Sequence, residues 1–138
     1  YGSLPGFLIG LIFLTLFFLF SKNKFKNFIV IGFFSVVGYL FDSVLSILDL
    51  FKINAEVNLL FLPIWFLVLW PSFCCLLINV LSFLKNNNLL SLFVGLIFGP
   101  LSYYAGVKIG LAEPLNSYVF LLISFYWGLM MYFYSKYI

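Results

Sequence analysis

Apolar residues run through this chain in long blocks, separated by short polar punctuation. Five blocks reach the length of ~17–25 residues that a bilayer-crossing helix needs. They are Leu4–Phe20, Phe28–Leu48, Leu59–Leu84, Leu89–Val107 and Leu115–Tyr134. The third is long enough to tilt or bend. The connections "SKNKFKN", "DLFKINAEVN", "KNNN" and "KIGLAEP" leave no room for a water-soluble domain. The alternating pattern of a membrane β-barrel is absent, so helices are the reading. The pattern predicts an all-α fold, a polytopic transmembrane helix bundle with five spans in one integral membrane domain over residues 1–138.

Composition strengthens that reading. The chain is 65% hydrophobic and 8% charged, against about 45–50% apolar and about 25% charged in a soluble domain. It does not have enough charge to cover a surface with water-compatible groups. Its seven basic residues are all lysines, spread thinly, and give a net charge of +3. Nucleic-acid binding needs a clustered basic face and is not expected.

The lysines also suggest an orientation. Alternating ends put Lys22, Lys24, Lys26, Lys85 and Lys136 on one side, and Lys52 and Lys108 on the other. The positive-inside rule makes the first side cytoplasmic, with the C-terminus inside and Tyr1 outside. Asp49, Glu56 and Glu113 join Lys52 and Lys108 at the outer mouth. The chain starts at Tyr1 with no basic n-region and no small-residue cleavage site, so its first block is not a signal peptide. It reads as one N-terminal helix short of a six-span protein.

The fourth block, "LFVGLIFGPLSYYAGVKIG", concentrates helix breakers and polar groups. Ser91, Gly95, Gly99, Ser102, Gly106 and Gly110 fall along one stripe at steps of three and four. Small residues at that spacing let another backbone approach closely in lipid. Pro100 removes a backbone donor and kinks the helix, which is tolerated where protein or a wet cavity receives the freed group. Gly95, Gly99, Pro100, Gly106 and Gly110 are therefore the candidate helix-packing residues. A tight seam is favoured, and a cavity beside Pro100 is the alternative.

The second block raises that alternative again. "GYLFDSVLSILD" aligns Ser35, Gly38, Asp42, Ser46 and Asp49 on one helical face. Asp49 reaches the outer end, whereas Asp42 lies ~10 Å deeper at ~1.5 Å per residue. A carboxyl group at that depth faces the bundle interior or a wet cavity. A structural hydrogen-bonding role and a functional one stand level for it. Trp70, Ser102, Tyr103 and Ser124 lie at similar depth, and the indole of Trp70 wants a partner. The candidate intramembrane polar site is Asp42, Ser46, Trp70, Ser102 and Tyr103.

Catalytic signatures are missing. There is no histidine for a nucleophile–base pair, no metal-ligand spacing, and no second deep aspartate to face Asp42. Cys74 and Cys75 read as soft packing residues. Tyr104 and Lys108 imitate the Tyr-x-x-x-Lys pair of short-chain dehydrogenases, but the glycine-rich loop that such enzymes need is absent. No catalytic residue, metal or cofactor is expected.

"VVGYLFDSVLSILDLFKI", "LPIWFLVLW" and "FGPLSYYAGVKIG", in this order and spacing, resemble an uncharacterised bacterial family of small inner-membrane proteins, domain of unknown function 2878. The resemblance covers Val36 to Gly110 and continues weakly to Trp127. Asp42, Ser43, Trp65, Trp70, Gly99, Pro100, Ser102, Tyr103 and Gly106 match it, although the family assigns them no role. Members begin with one more helix. They also carry a Thr-Leu-Asn-His-Ser-like run where this chain has Leu76, Leu77, Ile78, Asn79 and Val80. Gene neighbours that modify phospholipid acyl chains imply a lipid-linked role by association. The resemblance thus implies a non-enzymatic inner-membrane accessory to fatty-acyl modification, with membrane lipids and a lipid-modifying enzyme as partners. A small-molecule or lipid transporter with Asp42 in its pathway is the alternative, and an intramembrane enzyme has the least support.

Overall fold

The computed structural model describes residues 3–55 and 57–138. Tyr1 and Glu56, both read as outer-side residues, lie outside the described residues. Five α-helices dominate: α1 (Ser3–Phe20), α2 (Lys24–Ile47), α3 (Phe66–Asn79), α4 (Asn88–Lys108) and α5 (Tyr118–Tyr137). Four short strands make two antiparallel pairs. β1 (Phe51–Ile53) pairs with β4 (Ala112–Pro114), and β2 (Asn58–Leu59) pairs with β3 (Leu62–Pro63). Helices α1, α2, α4 and α5 are long and apolar enough to cross a membrane.

The third apolar block differs most from its expected form. It is divided into the β2–β3 hairpin, the 14-residue α3, and a 3-10 turn at Ser82–Asn86. Pro63 supplies the reason at the first break. A residue preceding proline is pushed out of the α region, so the helix cannot run back through Leu62. After the 3-10 turn, Asn87 restarts helical geometry, its side chain accepting from the Leu90 N–H at 3.0 Å.

The chain forms two compact units. The first comprises residues 3–47 and the described part of 55–80, and holds α1, α2, the β2–β3 hairpin and α3. Helix α1 meets α3 through Gly6 and Gly10, where Gly10 lies so close to Val68 that an added Cβ would overlap that side chain. Only Ser3 is buried on α1, and most of its leucines, isoleucines and phenylalanines are exposed, as suits a helix whose solvent is lipid.

The second unit comprises residues 48–54 and 81–138. Here α4 and α5 lie along one another. Gly95 abuts the Trp127 backbone, Gly99 abuts the Trp127 ring, and Gly128 abuts Leu96. A Cβ at Gly95 or Gly99 would collide with Trp127, so the glycines set the helix separation. Ser91, fully buried, donates to the Leu84 carbonyl at 2.9 Å. Helix α4 ends at Gly110, whose φ of 79° is left-handed. The Leu111 N–H returns to the Gly106 carbonyl at 2.9 Å and the Gly110 N–H to Val107 at 3.1 Å, closing a glycine C-cap. Gly106 and Gly110 thus lie outside the packed seam, with nothing within 4 Å of a Cβ built at either. The first tolerates space and the second turns the chain.

Pro100 shows how this unit handles a lost donor. Proline cannot donate to the carbonyl four residues earlier, which is that of Leu96. Ser124 on α5 supplies the substitute, its hydroxyl donating to the Leu96 carbonyl at 2.6 Å. The donor lost at the proline is thus replaced by an interhelical hydrogen bond.

Candidate functional site

The polar face of α2 organises the first unit. Asp42 is 2% exposed. Its Oδ2 accepts from the Trp70 indole Nε1–H of α3 at 2.7 Å. A carboxyl group removed from water needs such a partner. One turn before Asp42, Gly38 makes the approach possible, because a Cβ there would lie within the Trp70 ring. Sequence and geometry are linked here residue by residue: Gly38 admits the indole, and Asp42 receives its N–H.

The rest of the face follows the same logic. Ser35 donates to the Cys74 Sγ at 3.8 Å. Ser43 returns its hydroxyl to the Tyr39 carbonyl at 2.8 Å, within the helix. Ser46 donates to the Phe61 carbonyl at 2.9 Å, and the Tyr39 hydroxyl to the Leu59 carbonyl at 3.1 Å. Asp49 leaves the stripe because α2 stops at Ile47. It takes a positive φ of 54° and pairs with Lys52 at 3.8 Å on the exposed surface.

Beside Trp70 lies an open groove of about 230 Å³ between α2 and α3. Val36, Leu40, Phe66, Leu67 and Pro71 give it apolar walls, and Ser35, Tyr39 and the Trp70 ring complete it. Asp42 does not line it, since its carboxylate is held by the indole edge.

The five polar-site candidates separate between the units. Asp42, Ser46 and Trp70 belong to the first, where Asp42 and Trp70 meet directly and Ser46 ties down the hairpin. Ser102 and Tyr103 belong to the second. Ser102 donates to the Gly99 carbonyl of its own helix at 2.6 Å. Tyr103 packs edge-on to Phe51 at 5.4 Å and Trp127 at 6.5 Å between ring centroids. Lys108 lies over the Tyr104 ring at 5.2 Å, a cation–π contact. Cys74 and Cys75 are both buried free thiols. Among the described residues, no three His, Cys, Asp or Glu side chains gather in a metal-binding group.

Sequence reasoning did not find Tyr39 or the hairpin carbonyls. Tyr39 lies three residues before Asp42, yet an aromatic on a membrane helix is usually read as packing. Asn58 and Pro63, which flank the hairpin, are the signal that was available.

No curated protein and no solved structure matches the chain. A family match does run from residue 2 to residue 133, nearly the whole length of both units. The chain belongs to the family described as "Protein of unknown function (DUF2878)".

Proposed function

We propose that this chain is a multi-pass protein of the bacterial inner membrane, with its C-terminus cytoplasmic, that holds lipid acyl chains as a non-enzymatic accessory to membrane lipid modification. The observation that carries this reading is the groove between α2 and α3. At about 230 Å³ it falls below the roughly 300–1,000 Å³ of small-molecule pockets. It is walled by aliphatic and aromatic side chains and is partly open. Such a shape suits one strand of hydrocarbon better than a compact polar substrate. The lysine distribution supports the orientation, with five on the proposed cytoplasmic side and two opposite.

A transport reading draws on a different observation, the carboxyl group of Asp42 within a membrane-length helix. Intramembrane carboxylates mark ion and substrate paths in many transporters. The two readings diverge on two substitutions. Leu40→Trp fills the groove and leaves Asp42 alone. Asp42→Asn keeps an oxygen to accept the Trp70 N–H and removes the charge.

The test is whole-cell lipid profiling of a deletion strain carrying wild type, either variant or empty vector, with membrane levels matched by immunoblot. The accessory reading expects deletion to change the acyl profile, Asp42→Asn to restore it and Leu40→Trp to fail. Failure of Asp42→Asn alone moves the assignment to transport. An unchanged profile on deletion ends the lipid reading.

A further inference from the structure

We infer that the β2–β3 hairpin is a bilayer-embedded element whose tip contacts lipid acyl chains beside the first turns of α3. The first observation is its turn. Leu59 faces Leu62 across the strands, so Leu60 and Phe61 form a two-residue loop. Loops of this length require positive φ and are normally built with glycine, asparagine or aspartate. Here Leu60 occupies the left-handed region at φ 57°. It is also 81% exposed, with Phe61 55% exposed beside it. In water this tip would combine backbone strain with two bare apolar side chains. In hydrocarbon the second penalty disappears.

The second observation is how its backbone is satisfied. Hydrocarbon offers no hydrogen bonds, so a lipid-immersed segment must satisfy its own polar groups or borrow partners from protein. The hairpin does both for several of its groups. Its strands pair, the Ile64 N–H reaches the Val57 carbonyl at 3.1 Å, and the Leu59 and Phe61 carbonyls receive the Tyr39 and Ser46 hydroxyls of α2. Those two donors point at the tip carbonyls, where a water-exposed loop would use solvent. Leu62 and Pro63, on the opposite side, are buried.

The third observation is depth. The hairpin docks on α2 between Tyr39 and Ser46, the same stretch whose Asp42 holds Trp70 of α3. The hairpin and the first turns of α3 therefore share one depth along a membrane-length helix, and the tip lies alongside α3 rather than beyond its end.

The test uses the full chain in phosphatidylcholine vesicles. Leu60→Cys and, separately, Phe61→Cys carry an environment-sensitive fluorophore. Lys22→Cys in the polar α1–α2 linker is the aqueous reference, and labelled wild type reports background from Cys74 and Cys75. Blue-shifted emission at positions 60 and 61, with about half the intensity lost when the lipid is brominated at mid-chain, is expected. The reference position should lose intensity to aqueous iodide instead. Iodide quenching at positions 60 and 61 matching the reference overturns the inference, because the tip is then in water. Blue emission that brominated lipid leaves unchanged also overturns it, because protein then covers the tip.

Discussion

The two units solve one problem by different chemistry. Helices in lipid gain nothing by hiding apolar surface from each other, so contact must come from close packing or hydrogen bonds. In the second unit, α4 and α5 use closeness: Gly95 meets the Trp127 backbone, Gly99 and Gly128 admit the Trp127 and Leu96 side chains, and Ser124 completes the ladder that Pro100 interrupts. In the first unit, α2 and α3 use polar anchors: Asp42 holds Trp70, and Tyr39 and Ser46 hold the hairpin. Glycine serves both, yet Gly38 admits a side chain whereas Gly95 admits a main chain. An indole can swing aside. A helix backbone cannot.

That contrast predicts a ranking. Gly95→Leu should be the most damaging change, because its Cβ meets the Trp127 carbonyl. The helices must part, at a cost of about 3 kcal/mol or more. Thermal unfolding of detergent-purified protein by size-exclusion fluorescence measures it, and a Gly38→Leu loss that equals or exceeds the Gly95→Leu loss would erase the distinction between the two seams.

Trp70→Phe comes next. It removes the indole donor from the buried Asp42 carboxyl group, and losing such a bond costs roughly 2 kcal/mol. Asp42→Asn, which preserves the acceptor, should stay below about 1 kcal/mol. If the asparagine variant unfolds as readily as Trp70→Phe, charge and not hydrogen bonding holds the anchor.

Ser124→Ala should cost about 1 kcal/mol by leaving the Leu96 carbonyl without its donor. The sharper version is a double-mutant cycle. Pro100→Ala restores a helical N–H, so Ser124→Ala in that background should cost measurably less. Equal costs in both backgrounds would show that the serine does not compensate the proline.

The smallest expected effect belongs to Tyr39→Phe and Ser46→Ala, each about 0.6 kcal/mol as is usual for membrane hydrogen bonds. Their signature is local, namely faster amide exchange at Leu62 and Ile64 with little change in global melting.

How much of this was legible beforehand follows from what periodicity encodes. The α2 stripe was readable because Ser35, Gly38, Asp42 and Ser46 repeat at helical spacing. Trp70 was readable as a partner because its indole and the Asp42 carboxyl group fall at similar depth. Depth gives height but not neighbour, which is why Ser102 and Tyr103 were grouped with Asp42 although they belong to the other unit. The small-residue stripe follows helical spacing from Gly95 to Gly110, yet Gly95 and Gly99 lie against Trp127 whereas Gly110 supplies a turn. The hairpin was hidden because Leu59 to Leu62 is uniformly apolar. Hydropathy cannot separate a strand pair from a helix inside such a run, and only its ends, Asn58 and Pro63, argued otherwise.

The exchange between Pro100 and Ser124 also bears on how the protein is made. Chains emerge N-terminus first, so α4 is complete before Ser124 has been synthesised. An isolated α4 released into lipid at that moment would carry a Leu96 carbonyl with no donor. Its glycine stripe would meet no partner either. The nine residues from Ile109 to Ser117 are enough to turn α5 back on α4. Helix α4 is therefore a poor candidate for solitary release from the insertion machinery. The pair is built to be handed to the membrane as one hairpin, with its last hydrogen bond supplied by the second arm.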